Sequence, residues 1–126
     1  MCILKLIYSE PRPYMSNPMI RLSECSVEYG NPSGHSLTCA FHFLTIIWLY
    51  DKNIAIILEN GRLNYRRLAL IILTILSILL VAFSRVYLGV HSLNQVVLGI
   101  IYGIFTMVLY TQFLAPYLQQ LLTNLI

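Results

Sequence analysis

Charge is what this sequence has least of. Eight basic and five acidic side chains are spread over 126 residues, charged residues make up 10%, and hydrophobic residues make up 58%. A soluble globule carries about 25% charged residues, so a membrane protein is the first reading. The net charge of +3 is too small and too scattered to argue for a nucleic-acid partner. Asp51 is the only aspartate, and the three cysteines, Cys2, Cys25 and Cys39, lack metal-ligand spacing and read as structural. Near the N-terminus Lys5 and Glu10 interrupt the apolar run too early for a cleavable signal peptide, so insertion falls to the spans themselves. Repeats and low-complexity tracts are lacking too.

Where charge is missing altogether, the gaps have the size of a membrane. No Asp, Glu, Lys or Arg occurs at 34–50, 68–84 or 86–126. A hydrocarbon core of about 30 Å needs about 20 apolar helical residues. The expectation is an all-α integral membrane bundle with three transmembrane helices at 35–58, 67–88 and 92–115. Asp51, Lys52 and Asn53 leave two endings open for the first span: it stops near Tyr50, or it continues with those polar tips snorkelling. Residues 1–34 form a motif-bearing loop holding four of the five prolines, outside the hydrocarbon. A turn-rich connection runs from Glu59 to Arg67, and a tight turn surrounds Gly89. Alternation of sides then places the 9–33 loop and the turn from Arg85 to His91 on one face. Lys52, Arg62, Arg66 and Arg67 fall on the other, against Arg21 alone once Lys5, Arg12 and Arg85 are set aside. The positive-inside bias puts the motif face away from the cytoplasm.

Each span also carries a stripe of polar or small residues at helical spacing. These are His35, Thr38, His42 and Thr45; Thr74, Ser77 and Ser84; and His91, Gln95, Gly99, Gly103 and Thr106. The stripes are expected to face one another, with Gly99 and Gly103 allowing close helix approach. His42 matches no motif and reads as a core hydrogen bond within the bundle. Tyr8, Tyr14, Tyr50, Tyr65, Tyr110 and Tyr117, near span ends, read as an interfacial belt. Tyr87 and Leu88 could touch a ligand or simply pack.

Three segments carry the chemistry: Lys5 to Pro13, Pro32-Ser33-Gly34-His35, and Ser84-Arg85 to His91 and Gln95. They gather three cations and two imidazoles on one face, which makes an anion site. Arginine offers paired N–H donors to phosphate oxygens, and lysine adds a compact charge. Ser33, Gly34 and His35 begin a helix, where unpaired N–H groups and the positive dipole end favour an anion. Two histidines allow one imidazole to attack phosphorus while the other protonates the leaving oxygen, with no metal or other cofactor required.

The motifs K-x6-R-P, P-S-G-H and S-R-x5-H, in this order, resemble the signatures of the type 2 phosphatidic acid phosphatase superfamily, whose site is similar to that of vanadium haloperoxidases. The resemblance implies a helical-bundle, metal-independent phosphatase acting on lipid phosphates, isoprenoid pyrophosphates or glucose 6-phosphate, at the endoplasmic reticulum or another endomembrane. By position, it makes His91 the nucleophile and His35 the general acid, with Lys5, Arg12, Ser33, Gly34 and Arg85 binding phosphate. The family's third motif usually continues H-x3-D, whereas this chain has Gln95, resembling the glucose-6-phosphatase and dolichyl-pyrophosphate phosphatase branches. Gln95 lies one turn beyond His91, within reach of its ring, and can still accept an N–H bond from it.

Members of that family generally have about six spans, and this chain starts at the first motif. It therefore reads as the C-terminal half of such a core: a fragment, part of something larger, or a chain that borrows partner helices or subunits. Two rivals to a phosphatase follow. One is a catalytically inactive, phosphatase-derived subunit of a larger complex. The other is a phosphate- or phospholipid-binding module. In every case membrane lipids surround the bundle, and a phosphorylated lipid or sugar is the expected ligand.

Overall fold

The computed structural model describes residues 2–20, 26–53, 58–59, 62–63 and 65–125. Its helices are α1 (Cys2–Tyr8), α2 (Pro13–Ser16), α3 (Gly34–Asn53), α4 (Tyr65–Tyr87), α5 (Leu93–Leu109) and α6 (Ala115–Leu125). The helical architecture agrees with the expectation, apart from a minimal antiparallel ladder between β1 (Leu58–Glu59) and β2 (Arg62–Leu63). Cys25, Arg21 and the connecting residues 54–57 lie outside the described residues.

Two of the helices, Tyr65–Tyr87 and the continuous Leu93–Leu125, are long and apolar enough to cross a membrane. The helix at the first expected span runs to Asn53, past Tyr50, but Leu58 belongs to the ladder, so the helix is shorter than 35–58. The last helix runs ten residues beyond the expected end at 115. A π-turn over Tyr110–Leu114 joins α5 to α6, and the Ala115 N–H bonds the Tyr110 carbonyl. Pro116 follows immediately. Proline lacks an N–H and crowds the preceding turn, and the wider π-turn provides the slack that lets the helix pass through it.

Helix α3 packs chiefly on α5 and more lightly on α4. At the α3–α5 crossing a Cβ on Gly99 would lie 2.5 Å from the Ser33 carbonyl oxygen, and one on Gly103 would lie 2.5 Å from that of Leu37 and 2.8 Å from the Ala40 Cβ. Only hydrogen at these two positions lets the backbones approach. Gly103→Val should therefore push the helices apart, at a cost of about 1–3 kcal/mol. A clear drop in thermal unfolding temperature in detergent is expected, and an unchanged one would contradict this packing.

The polar stripes do not all face one another. Glycines of α5 meet Ser33, Ser36, Leu37 and Ala40, on the side of α3 opposite its His35–Thr38–His42 stripe. The hydroxyls of Thr45, Ser77 and Thr106 instead bond their own helix, to the carbonyls of Phe41, Leu73 and Tyr102 at 2.7–2.8 Å. A hydroxyl satisfied by the preceding turn can face apolar surroundings without loss, so polarity alone did not report which side is inward. Tyr110 packs edge-on against Phe41 and Trp48 between helices.

Candidate active site

The N-terminal loop and the α4–α5 turn meet at one end of the bundle. Helix α4 ends where Gly89 takes a left-handed conformation, φ +67°, after the Leu88 N–H bonds the Ser84 carbonyl. A Cβ there would also strike the Ile20 side chain at 2.5 Å. This glycine turn brings Arg85, at the end of α4, and His91, just before α5, to the same cavity.

Arg12 stands between Pro11 and Pro13 in extended backbone, φ −77° and ψ 154°, as proline neighbours require. Its Nε donates to the Glu28 carbonyl at 2.9 Å, and another guanidinium nitrogen donates to the Val90 carbonyl at 3.4 Å. Arg12 is 8% exposed, and its guanidinium ties the loop to the turn. Lys5, from α1, pairs with the Glu28 carboxylate, which that lysine holds below the usual carboxylate range. Glu28 thus brings a resident anion to the cation cluster.

His91 is 4% exposed and Gln95 1%. The Gln95 carboxamide is oriented by three partners. Its nitrogen donates to the Pro11 carbonyl at 2.9 Å, while its oxygen accepts from the Ser92 N–H at 3.2 Å and faces His91 Nδ1 at 3.3 Å. A carbonyl such as that of Pro11 only accepts, so the amide nitrogen must point there and the oxygen toward His91. Nδ1 therefore carries the proton, and Nε2 keeps the lone pair. Ser92 completes a capping box at the start of α5, its Oγ accepting from the Gln95 N–H. Gly30 leaves room for all this, since a Cβ there would stand 2.5 Å from the Gln95 oxygen.

Burial lowers the His91 pKa from 6.5 to about 4, and the positive charge of Arg12 acts in the same direction; hydrogen bonds to Gln95 and Gly30 oppose it only in part. The folded protein holds this ring neutral, whereas the unfolded chain protonates it near 6.5. Because the folded pKa is depressed, its contribution to stability is complete above about pH 6.5 and is lost as pH falls toward about 4. The loss is on the order of 3 kcal/mol. His91→Asn should flatten the thermal stability profile over that window relative to wild type. Parallel profiles for the two proteins would contradict the assignment.

A cavity of about 740 Å³ is lined by Lys5, Arg12, Gly34, His35, Arg85 and His91, six of the eight residues expected from the motifs. Ser33 and Gln95 stand behind this wall. Ser33 is fully buried, its N–H donating to the Gln95 carbonyl at 2.9 Å and its Oγ accepting from Ser36 at 3.1 Å. The motif reading did not anticipate Glu28 or His42, both of which line the cavity. For Glu28 the sequence holds no signal. For His42 it does: the residue lies seven positions after His35, on the same helical face. Its Nδ1 bonds the Thr38 carbonyl of its own helix at 2.8 Å, a hydrogen bond within the bundle. Tyr87 is exposed and stacks on Phe83, outside the lining. Among the described residues, no group of three or more His, Cys, Asp or Glu side chains is placed to hold a metal ion.

The chain is 33% identical over 110 residues to lipid phosphate phosphatase delta from Arabidopsis thaliana, an alignment covering 80% of this chain and 24% of the relative. It superimposes with a TM-score of 0.70 and 25% identity on a crystal structure of a transmembrane PAP2-type phosphatidylglycerolphosphate phosphatase from Bacillus subtilis, covering 88% of this chain and 50% of that one. The chain thus spans about a quarter and a half, respectively, of these two proteins. Two helices of spanning length and these membrane relatives make it an integral membrane protein. With residues 1–117 matching the PAP2 superfamily model, the chain belongs to the PAP2 superfamily.

Proposed function

We propose that this chain carries the active site of an integral membrane phosphatase that hydrolyses a phosphomonoester or pyrophosphate through a phosphohistidine on His91, without a metal. One observation carries the reading: the Gln95 amide, fixed by Pro11 and Ser92, leaves His91 Nε2 as the lone-pair nitrogen of a neutral ring beside Lys5, Arg12 and Arg85. Nε2 attacks phosphorus, the P–O bond to the leaving group breaks, and His35 gives its proton to the departing oxygen. In the second half His35 takes a proton from water, whose oxygen attacks phosphorus and breaks the P–N bond. Lys5, Arg12 and Arg85 stabilise the equatorial oxygens. The start of α3 adds donors at Gly34 and His35, with Ser33 seating that turn on α5. Gln95 acts as a positioning residue and supports a place in the Gln-bearing branches of the family.

In this reading the bundle crosses the membrane three times, α3 included, since its 20 residues span about 30 Å alongside α4 and α5. The site lies on the non-cytoplasmic face, opposite Arg66 and Arg67. A phosphorylated lipid is the favoured substrate, following the name of the plant relative. The test is release of inorganic phosphate by the purified protein in chelator from lysophosphatidate, dolichyl pyrophosphate and glucose 6-phosphate, with trapping of an acid-labile phosphoenzyme. Vanadate should inhibit. Absence of turnover and of vanadate binding would overturn the proposal and leave a non-catalytic membrane subunit.

A further inference from the structure

The cavity is far larger than a phosphoryl group, one phosphorus and its oxygens. Its volume of about 740 Å³ is that of a site for a drug-sized molecule, and it is open on one side, with His35, Thr38 and His42 exposed along it. Below the cations it continues along α3, past Thr38, Cys39, His42 and Phe43, with Val81 of α4 also in its lining. His42 lies on the same helical face as His35 and two turns deeper, about 10 Å along the axis.

In the neutral form of this third imidazole the tautomer follows from its partner. His42 Nδ1 lies 2.8 Å from the Thr38 carbonyl, which can only accept, so Nδ1 donates and Nε2 is left as a bare acceptor. An edge-on contact with Phe41, centroids 5.3 Å apart, helps to hold the ring. At this depth the described lining is otherwise the Thr38 hydroxyl, the Cys39 thiol and the apolar Phe43 and Val81, with no charge. Such a wall suits a neutral group that donates a hydrogen bond. A second phosphoryl group, all acceptors, would meet an acceptor there.

We propose that His42 is a specificity-determining residue, whose Nε2 accepts a hydrogen bond from a hydroxyl on the leaving group a few bonds beyond the ester oxygen. This rests on the phosphatase reading above and names its substrate class: hydroxylated phosphomonoesters, over plain alkyl phosphates or diphosphates. His42 makes no contact with the reacting phosphoryl group in this arrangement.

The experiment uses the full chain in detergent with three probes: dodecyl phosphate, the same ester bearing a hydroxyl on its fourth carbon, and dodecyl diphosphate. Turnover is measured as kcat/KM, and binding of the matching non-hydrolysable phosphonates by calorimetry. Wild type should favour the hydroxylated probe by roughly five- to tenfold in both readouts, the worth of one hydrogen bond. His42→Phe should abolish that preference while leaving dodecyl phosphate within about twofold, and His42→Gln, which keeps an acceptor, should retain part of it. A preference that persists in His42→Phe, that is absent from wild type, or that favours the diphosphate through His42 overturns the inference. Turnover without hydroxyl preference sinks the inference alone. A His42-dependent preference in phosphonate binding without any turnover sinks the phosphatase reading alone, and neither binding nor turnover sinks both.

Discussion

Replacing His91 by alanine is expected to reduce phosphate release by roughly 10⁴-fold or more, the scale on which loss of a catalytic nucleophile acts. The phosphoenzyme should disappear with it. The substitution is clean for a physical reason: Gln95 keeps its bonds to the Pro11 carbonyl and the Ser92 N–H when the ring is removed, so no carboxamide atom is orphaned. The capping box that starts α5 also survives. The variant should therefore fold, and since His91 lines the cavity, its removal opens a space that free imidazole can enter. Partial restoration of turnover by added imidazole would separate a missing nucleophile from a damaged fold. Undiminished phosphate release in His91→Ala would rule out the phosphohistidine route.

The parts of this site legible in the sequence were those whose spacing is set by local geometry. Lys5 and Arg12 share one short proline-bounded segment, and Ser33 to His35 sit at a helix start. Arg85 and His91 flank a turn that needs glycine, here Gly89 at φ +67°. Gly99 and Gly103 were legible too, because a Cβ at either one would collide with α3. What failed was polarity as a guide to orientation. Thr45, Ser77 and Thr106 satisfy their hydroxyls within their own helices, and so lose the pressure to face inward.

Gln95 was half legible. Its reach to His91 followed from the one-turn spacing, whereas its bond to Pro11 joins residues 84 positions apart and has no local signature. That bond explains what glutamine supplies and aspartate lacks. A carboxylate could accept from His91 and Ser92, but it has no N–H to give the Pro11 carbonyl and would face it acceptor to acceptor. The Ser92-x-x-Gln95 capping box, a serine followed by glutamine at the third position of a helix, emerged only with the structure. It is a second reason for glutamine here, independent of the chemistry. Glu28 had no signal, because its approach to Lys5 is decided by how the loop folds back over α1.

His35→Ala should lower kcat/KM for alkyl phosphates by roughly 10²- to 10⁴-fold, the range for a lost general acid, and much less for p-nitrophenyl phosphate. The difference lies in the leaving group. An alkoxide is too basic to depart without a proton, whereas a nitrophenolate is stable as the anion and gains little from protonation. His35 is exposed on the cavity wall at the second residue of α3, so removing its side chain should change stability by no more than about 0.5 kcal/mol. A phosphate-binding role for the imidazole would instead act through the phosphoryl group common to both substrates and depress both rates alike. Comparing the two losses therefore distinguishes proton donor from anion ligand. Equal losses would remove His35 from the acid's role and leave it beside Gly34 as part of the phosphate cradle.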